Sequence, residues 1–214
     1  MIALKGDIFF FREFTGEISM YKQIYINRIY DSHPDFRADG NTNAIVFDIG
    51  ANIGIYTVRT AKTYANCMVY SFEPNPDVYA RLKKNISLNK LNNVKPFPLG
   101  FADRKTTAYL DAEQSTVLGR ISYEKGQTEV DLETLDLFVA KEPVHRIDIL
   151  KIDVEGFELS VLKGAEHVLQ RVKRIVMECD KALEQQVCTY LEDKGFRLLM
   201  KIPQYNILYF HPRN

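Results

Sequence analysis

The chain has 214 residues, 46% of them hydrophobic and 26% charged, which suits a single soluble globular domain. Its 28 basic and 28 acidic residues cancel to zero formal net charge, so long nucleic-acid or anionic-membrane partners start disfavoured by bulk charge. No apolar run reaches the roughly 18 residues that span a bilayer.

The N-terminus, "MIALKGDIFFFREF", mixes apolar residues with Asp7, Arg12 and Glu13 and lacks a small-residue cleavage site, so it does not read as a signal peptide. Cys67, Cys179 and Cys188 are odd in number and lack metal-ligand spacing, which fits structural thiols in a reducing, cytoplasmic setting. "GDIFFFREF" fits a short strand or a helix start. "EISMYKQIYINRIYD" places Ile18, Tyr21, Tyr25 and Ile29 at helical spacing, and "SHPDFRADGNTN" breaks regular structure. Residues 1–42 therefore read as an N-terminal extension and candidate lid, with one domain over 43–214.

From Ala44 strand and helix alternate. "AIVFDI" is a continuous apolar run, as expected of a strand buried on both faces. A helix from about Gly54 to Tyr64, the strand "CMVYSFEP" and the helix "DVYARLKKNISLN" follow. "VKPFPLGFA" reads as a third strand weakened by its prolines; "TTAYLD" and "QTEVDLETLD" read as an irregular β insertion. "EQSTVLGRIS" has no core pattern and reads as a substrate loop. "IDILKIDVEG" and "KRIVMECD" are strands, each followed by a helix. "FRLLMKIP" and "NILYFHP" close the chain as an antiparallel pair. Repeated βαβ units imply a parallel sheet covered by helices.

The turn after the first of these strands reads Asp48-x-Gly50-x-Asn52-x-Gly54. A dinucleotide fingerprint starting at Gly50 needs glycines where Asn52 and Ile55 stand, so an NAD site is not met. Asp48 would repel a phosphate and suits a ligand ammonium; the plain alternative is an Asp helix cap. Glu73 ends the second strand at the offset of an acid that accepts from ribose hydroxyls, or is simply a solvent-facing strand end. Asp103, after "LGFA", is placed to accept from an adenine amino group, or merely forms a turn. Ribose, adenine and ammonium without pyrophosphate describe S-adenosylmethionine.

Four stretches then carry a family resemblance. "VFDIGANIGIYTV", "YSFEPNPDVYARLKKNISLN", "VDLETLD" and "ILKIDVEGFELSVLKGAEHVL" with "IVMECD" resemble the FkbM family of S-adenosylmethionine-dependent methyltransferases, over roughly residues 44–180. The resemblance implies an α/β, Rossmann-like class I methyltransferase fold. That fold has a seven-stranded, mostly parallel sheet, an antiparallel C-terminal hairpin and, here, a short N-terminal extension. It implies O-methylation of a hydroxyl on a sugar or secondary metabolite, hence a small-molecule or glycan acceptor and neither a nucleic-acid nor a membrane partner. It also implies cofactor contacts at Asp48, Gly50, Asn52, Gly54, Glu73 and, less directly, Asp103, with Asp153 facing the methyl and Glu155 and Glu158 following it.

An alcohol acceptor must lose its proton, to a base or with the help of a metal. Asp153 or Glu155 is the expected catalytic base. Alternatively Asp153, Glu178 and Asp180 could hold one divalent cation; no metal site is assigned. Glu158 fits a helix N-terminus stabilised by its dipole. His33 becomes a base only if the N-terminal segment closes over the site. Tyr21, Tyr25 and Tyr30 fit either core packing or the acceptor pocket. Two rivals remain: an N-methyltransferase on nucleic acid, opposed by "DVEG" and the lack of a basic stripe, and a catalytically degenerate cofactor-binding subunit, opposed by acids at every strand end.

Overall fold

The structure is a computed structural model that describes residues 2–4, 6–10, 16–38, 43–110, 121–124 and 128–213. In chain order the elements are β1 (Ile2–Leu4), β2 (Asp7–Phe9), α1 (Glu17–Tyr21) running into a π-helical turn (Lys22–Ile26), β3 (Ile45–Ile49), α2 (Ile55–Thr63), β4 (Met68–Phe72) and α3 (Pro76–Leu88). Then come β5 (Val94–Phe97), β6 (Gly100–Phe101), β7 (Thr106–Leu110), β8 (Ile121–Ser122), β9 (Thr128–Glu133), α4 (Leu135–Lys141), β10 (Ile149–Ile152) and α5 (Glu158–Lys163). The chain ends with β11 (Ile175–Glu178), α6 (Glu184–Asp193), β12 (Phe196–Ile202) and β13 (Ile207–Pro212).

Seven strands form one sheet in the order β12-β13-β11-β10-β3-β4-β5. β5, β4, β3, β10 and β11 pair in parallel; β13 lies antiparallel to both β11 and β12. This is the α/β sheet with an antiparallel C-terminal hairpin expected from the sequence. The central strands are nearly unbroken apolar runs because helices or the N-terminal segment cover both faces.

Side chains alternate along each strand, and the two faces carry separate cores. Phe47, Ile49, Phe72, Ile152 and Met177 pack on one face with Leu162 of α5 and Val187 of α6. Val46, Val69, Ile149, Val176 and Tyr209 pack on the other, with α2 residues and with Phe9, Tyr21, Ile24, Tyr30 and Phe36 of the N-terminal segment. Asp48, two residues beyond Val46, and Lys151, two beyond Ile149, therefore share the face that the N-terminal segment covers.

That segment is tied down along its length. The β2 edge is closed by α3: Asn85 Oδ1 accepts from Phe10 N (2.8 Å) and Asn89 Oδ1 from Ile8 N (3.1 Å). Glu17 forms a buried ion pair with Arg81 of α3. Asp31 accepts from Arg59 Nη2 of α2 at 2.8 Å, and Tyr209 Oη accepts from Ser32 N at 3.2 Å. The helix expected through Tyr25 and Ile29 is shorter: it loosens into the π turn after Tyr21. Tyr21 and Tyr25 stack on each other with ring centres 4.3 Å apart, as core residues.

The third strand departs from the single run read in the sequence. It ends at Phe97, and after Pro98 the chain leaves the main sheet. Gly100–Phe101 pairs with β9 in a separate sheet of order β6-β9-β7-β8. Pro96 is tolerated inside β5 because β5 is the edge strand, and Pro98, which has no N–H for the ladder, follows its last residue. The expected β insertion is this second sheet. Of the proposed substrate loop, residues 113–120 lie outside the described residues.

Candidate active site

The carboxyl ends of β3, β4, β10 and β11 lie side by side, where ligands bind in open parallel sheets. Register explains the clustering. Asp48 is paired with Ser71 on one side and Lys151 on the other, and Ile152 with Met177, so Asp153 and Glu178 each come one residue further on neighbouring strands.

The turn after β3 is built by backbone geometry. Gly50 and Gly54 have φ of +72° and +88°, and Asn52 has φ +51°. A Cβ on Gly50 would meet the carbonyl oxygen of Asp153 at 1.8 Å, so the β3 turn packs directly on the β10 end. Gly50 N and Ala51 N donate to Phe72 O at 3.1 and 2.9 Å. Glu73 completes the link: its Oε2 accepts from Asn52 N and its Oε1 from Asn75 N, both at 2.9 Å. Burial pushes the Glu73 carboxyl up to about 7, against those two N–H groups. Gly50, Asn52, Gly54 and Glu73 thus form one connected unit.

Asp48 belongs to a different unit, in which its carboxylate faces a cation of the protein itself. It is fully buried. Its carboxylate accepts from the Thr57 hydroxyl at 2.6 Å and lies 3.0 Å from the Lys151 ammonium. Lys151 Nζ also donates to Gly50 O at 2.8 Å, lies 3.4 Å from Asp153 Oδ2 and sits over the Tyr30 ring at 5.3 Å. Burial pulls its pKa down, but Asp48 and Asp153 outweigh this and hold the ammonium pKa above its ordinary value. Sequence reasoning missed Lys151. The signal was a lysine inside the apolar strand "ILKI", which a buried strand tolerates only with carboxylate partners.

Tyr30 enters from the N-terminal segment. Its hydroxyl donates to Asp153 Oδ2 at 2.9 Å and lies 3.4 Å from Glu178 Oε2. Burial, then Asp153 and Glu178, raise its pKa well above the ordinary phenol value, so it stays a donor. Of the three tyrosines in that segment, this one reaches the site. Glu178 is pushed up to about 8, first by burial and then by the Asp153 and Glu155 carboxylates.

Two clefts meet at these acids. One, of about 240 Å³, runs between Met20, Gln23, Ile24 and Tyr30 on the N-terminal side and Asp153, Glu155 and Glu178 on the sheet side. The other, of about 300 Å³, opens past the same three acids toward Asp180, Lys181 and Asn206. Glu155 sits on a left-handed turn (φ +52°) followed by Gly156 (φ +100°). Glu158 is buried, and its Oε1 accepts from Gly156 N at 2.9 Å, bracing that turn.

Asp103 stands apart. Its backbone N–H donates to Ser160 Oγ of α5 at 3.1 Å, and its carboxylate faces Arg104 at 3.6 Å. A Cβ on Gly100, three residues earlier, would lie 3.3 Å from Pro74, the residue after Glu73. His33 Nδ1 accepts from Asp35 N at 3.3 Å and starts a short helical turn. Among the described residues, no group of three or more His, Cys, Asp or Glu side chains is arranged to hold a metal ion, and no helix is long and apolar enough to cross a membrane.

A seven-stranded sheet in this order, with a glycine turn after its central strand and acids on the neighbouring strand ends, defines the Rossmann-like class I methyltransferase fold. Among solved structures, the ribosomal protein L11 methylase of Lactobacillus delbrueckii subsp. bulgaricus shares that fold, with a TM-score of 0.55 at 11% identity over 92% of this chain and 80% of its own. The family described as Methyltransferase FkbM domain matches residues 48–198, and this chain belongs to the FkbM methyltransferase family. Methyltransferase sdnD of Sordaria araneosa is 30% identical over 214 residues, covering 83% of this chain and 81% of its own. The 31-O-demethyl-FK506 methyltransferase FkbM of Streptomyces tacrolimicus is 26% identical over 217 residues, covering 84% and 82%.

Proposed function

We propose that this methyltransferase uses S-adenosylmethionine to methylate a hydroxyl of a small metabolite or sugar. The observation that carries the reading is the meeting of two units at one sheet edge: the Gly50–Glu73 turn, and the Asp153–Glu178–Tyr30 group at the mouth of two small clefts.

The residues fit the cofactor. An ionised carboxylate has about four acceptor positions, and Glu73 gives two to backbone N–H groups, leaving two for a ribose diol. Gly50, Asn52 and Gly54 shape the turn against which the nucleoside would lie, and Asp103 would have to reach the adenine from outside that turn. Asp48 contributes through Lys151, which it holds charged. When bound, S-adenosylmethionine supplies a methyl group already activated on a sulfonium, so the chain need only place the acceptor and take its proton.

Asp153 and Glu155 face the acceptor, and Met20, Ile24 and Tyr30 form an apolar wall for the faces of a ring. Residues of the N-terminal segment, among them Met20, Gln23 and Ile24, supply one wall of the pocket. The relative from Streptomyces tacrolimicus bears a name that specifies a 31-O-demethyl substrate, which supports an oxygen acceptor. The acids at both clefts would repel the phosphates of a nucleic acid.

The test is calorimetric titration with S-adenosylhomocysteine and separately with NAD. A panel of sugars and hydroxylated secondary metabolites is then assayed with methyl-labelled cofactor. Binding of S-adenosylhomocysteine alone, followed by label in an ether product, is expected. Binding of NAD instead, or label transferred only to nitrogen, overturns the reading.

A further inference from the structure

Proton removal from a hydroxyl needs a carboxylate that is fixed, open to the acceptor cleft and not already held by other donors, and the three acids there differ in these respects. Asp153 Oδ2 lies near two donors, the Lys151 ammonium at 3.4 Å and the Tyr30 hydroxyl at 2.9 Å. Both already engage its carboxylate, which leaves fewer acceptor positions open to an acceptor hydroxyl. Glu155 stands in a left-handed turn between β10 and α5. Glu178 ends β11, where its backbone is paired with Ile207 of β13, and its carboxylate borders both clefts.

We propose that Glu178 takes the proton from the acceptor hydroxyl, with Tyr30 as the positioning residue that fixes its carboxylate. The proposal rests on the O-methylation reading above. As the acceptor oxygen bonds to the methyl carbon, the S–CH3 bond breaks with its electron pair going to sulfur. The O–H proton passes to Glu178, so the products are a neutral ether, a thioether and a protonated carboxyl.

The charge balance says why Glu178 is the group that gains and loses a proton. Asp48, Asp153 and Glu178 surround one ammonium, Lys151, which is committed to the first two. Glu178 also faces Glu155 from the β10–α5 turn and the Tyr30 hydroxyl from the N-terminal segment, and shares a cleft with Glu158, Asp180 and Lys181. In the free protein the cheapest relief is a proton on Glu178. A second positive charge held at this edge removes the need for that proton and leaves Glu178 as a free base. A sulfonium brings such a charge and a thioether does not.

The test is isothermal titration of the full chain at pH 7 with S-adenosylmethionine and then S-adenosylhomocysteine. Each is run in two buffers of different ionisation enthalpy, which gives the protons released on binding. Expected for the native chain is release of roughly half a proton or more with S-adenosylmethionine and almost none with S-adenosylhomocysteine. Glu178→Gln should bind both within about threefold of the native affinity and release none. Glu178→Asp, which keeps a titratable group, should restore release. Tyr30→Phe should move the release to higher pH, because the Tyr30 hydroxyl lowers the Glu178 pKa. With the acceptor found by the screen above, Glu178→Gln should lower kcat by roughly 10²–10⁴ with KM little changed. Undiminished release in Glu178→Gln, equal release with both ligands, or no release from a native chain that binds both overturns the proposal while sparing the cofactor reading. Failure to bind either ligand overturns that reading, and the proposal with it.

Discussion

Replacing Lys151 by methionine is the sharpest test of the site's electrostatics. The substitution keeps most of the length and volume of the side chain and removes its charge together with the hydrogen bond to Gly50 O. The ammonium is buried and lies 3.0 Å from Asp48 and 3.4 Å from Asp153, and Asp48 is itself fully buried, with Thr57 as its other partner. Removing one member of a buried ion pair leaves an uncompensated charge and destabilises by about 3–5 kcal/mol. Against a typical total stability of roughly 5–15 kcal/mol this is a large fraction, and for a chain of this size it lowers Tm by roughly 6–20 °C. Urea unfolding followed by circular dichroism at pH 7.5 measures it. Lys151→Met/Asp48→Asn should recover much of the stability, since the two changes remove a charge pair together. A Lys151→Met protein within about 1 kcal/mol of the native chain at pH 7.5 would refute the account of Lys151 as the counter-ion that holds these acids in place.

Glu73→Ala should weaken S-adenosylhomocysteine binding roughly 10- to 100-fold by calorimetry, since hydrogen bonds to a charged group contribute about 1.5–3 kcal/mol; unchanged affinity in a folded variant would remove Glu73 from the cofactor site. Asp153→Asn should reduce turnover far more than cofactor affinity, and full activity would take Asp153 out of the acceptor site. Chelator treatment should leave methyl transfer unchanged; reversible loss restored by a divalent cation would replace the carboxylate base with a metal. Glu73 and Glu178 bind a proton more tightly folded than unfolded, with pKa values near 7 and 8 against an ordinary 4.5. Their contribution to stability is present below about pH 4.5 and is lost as pH rises through 7 and 8. Urea unfolding should therefore show lower stability at pH 8.5 than at pH 5.5, by an amount on the order of a few kcal/mol, and Glu178→Gln should flatten the upper part of that decline.

Much of this was legible in the chain because it is local. Apolar runs such as "AIVFDI" and "IDILKIDVEG" mark strands covered on both faces, and the spacing Asp48-x-Gly50-x-Asn52-x-Gly54 requires a turn whose φ values are mostly left-handed. The antiparallel closing pair followed from two strand patterns separated by a short polar link. The partners of each acid were not legible, because they are set by register between strands distant in sequence. Asp48 and Lys151 are adjacent only because β10 inserts beside β3, 103 positions later in the chain, in a register that aligns them. Tyr30 reaches Asp153 only because buried ion pairs of Glu17 with Arg81 and Asp31 with Arg59 hold the N-terminal segment across that sheet face. Sequence determined which residues carry charge at strand ends; tertiary structure decided which of those charges neutralise one another inside the protein and which are left facing the clefts.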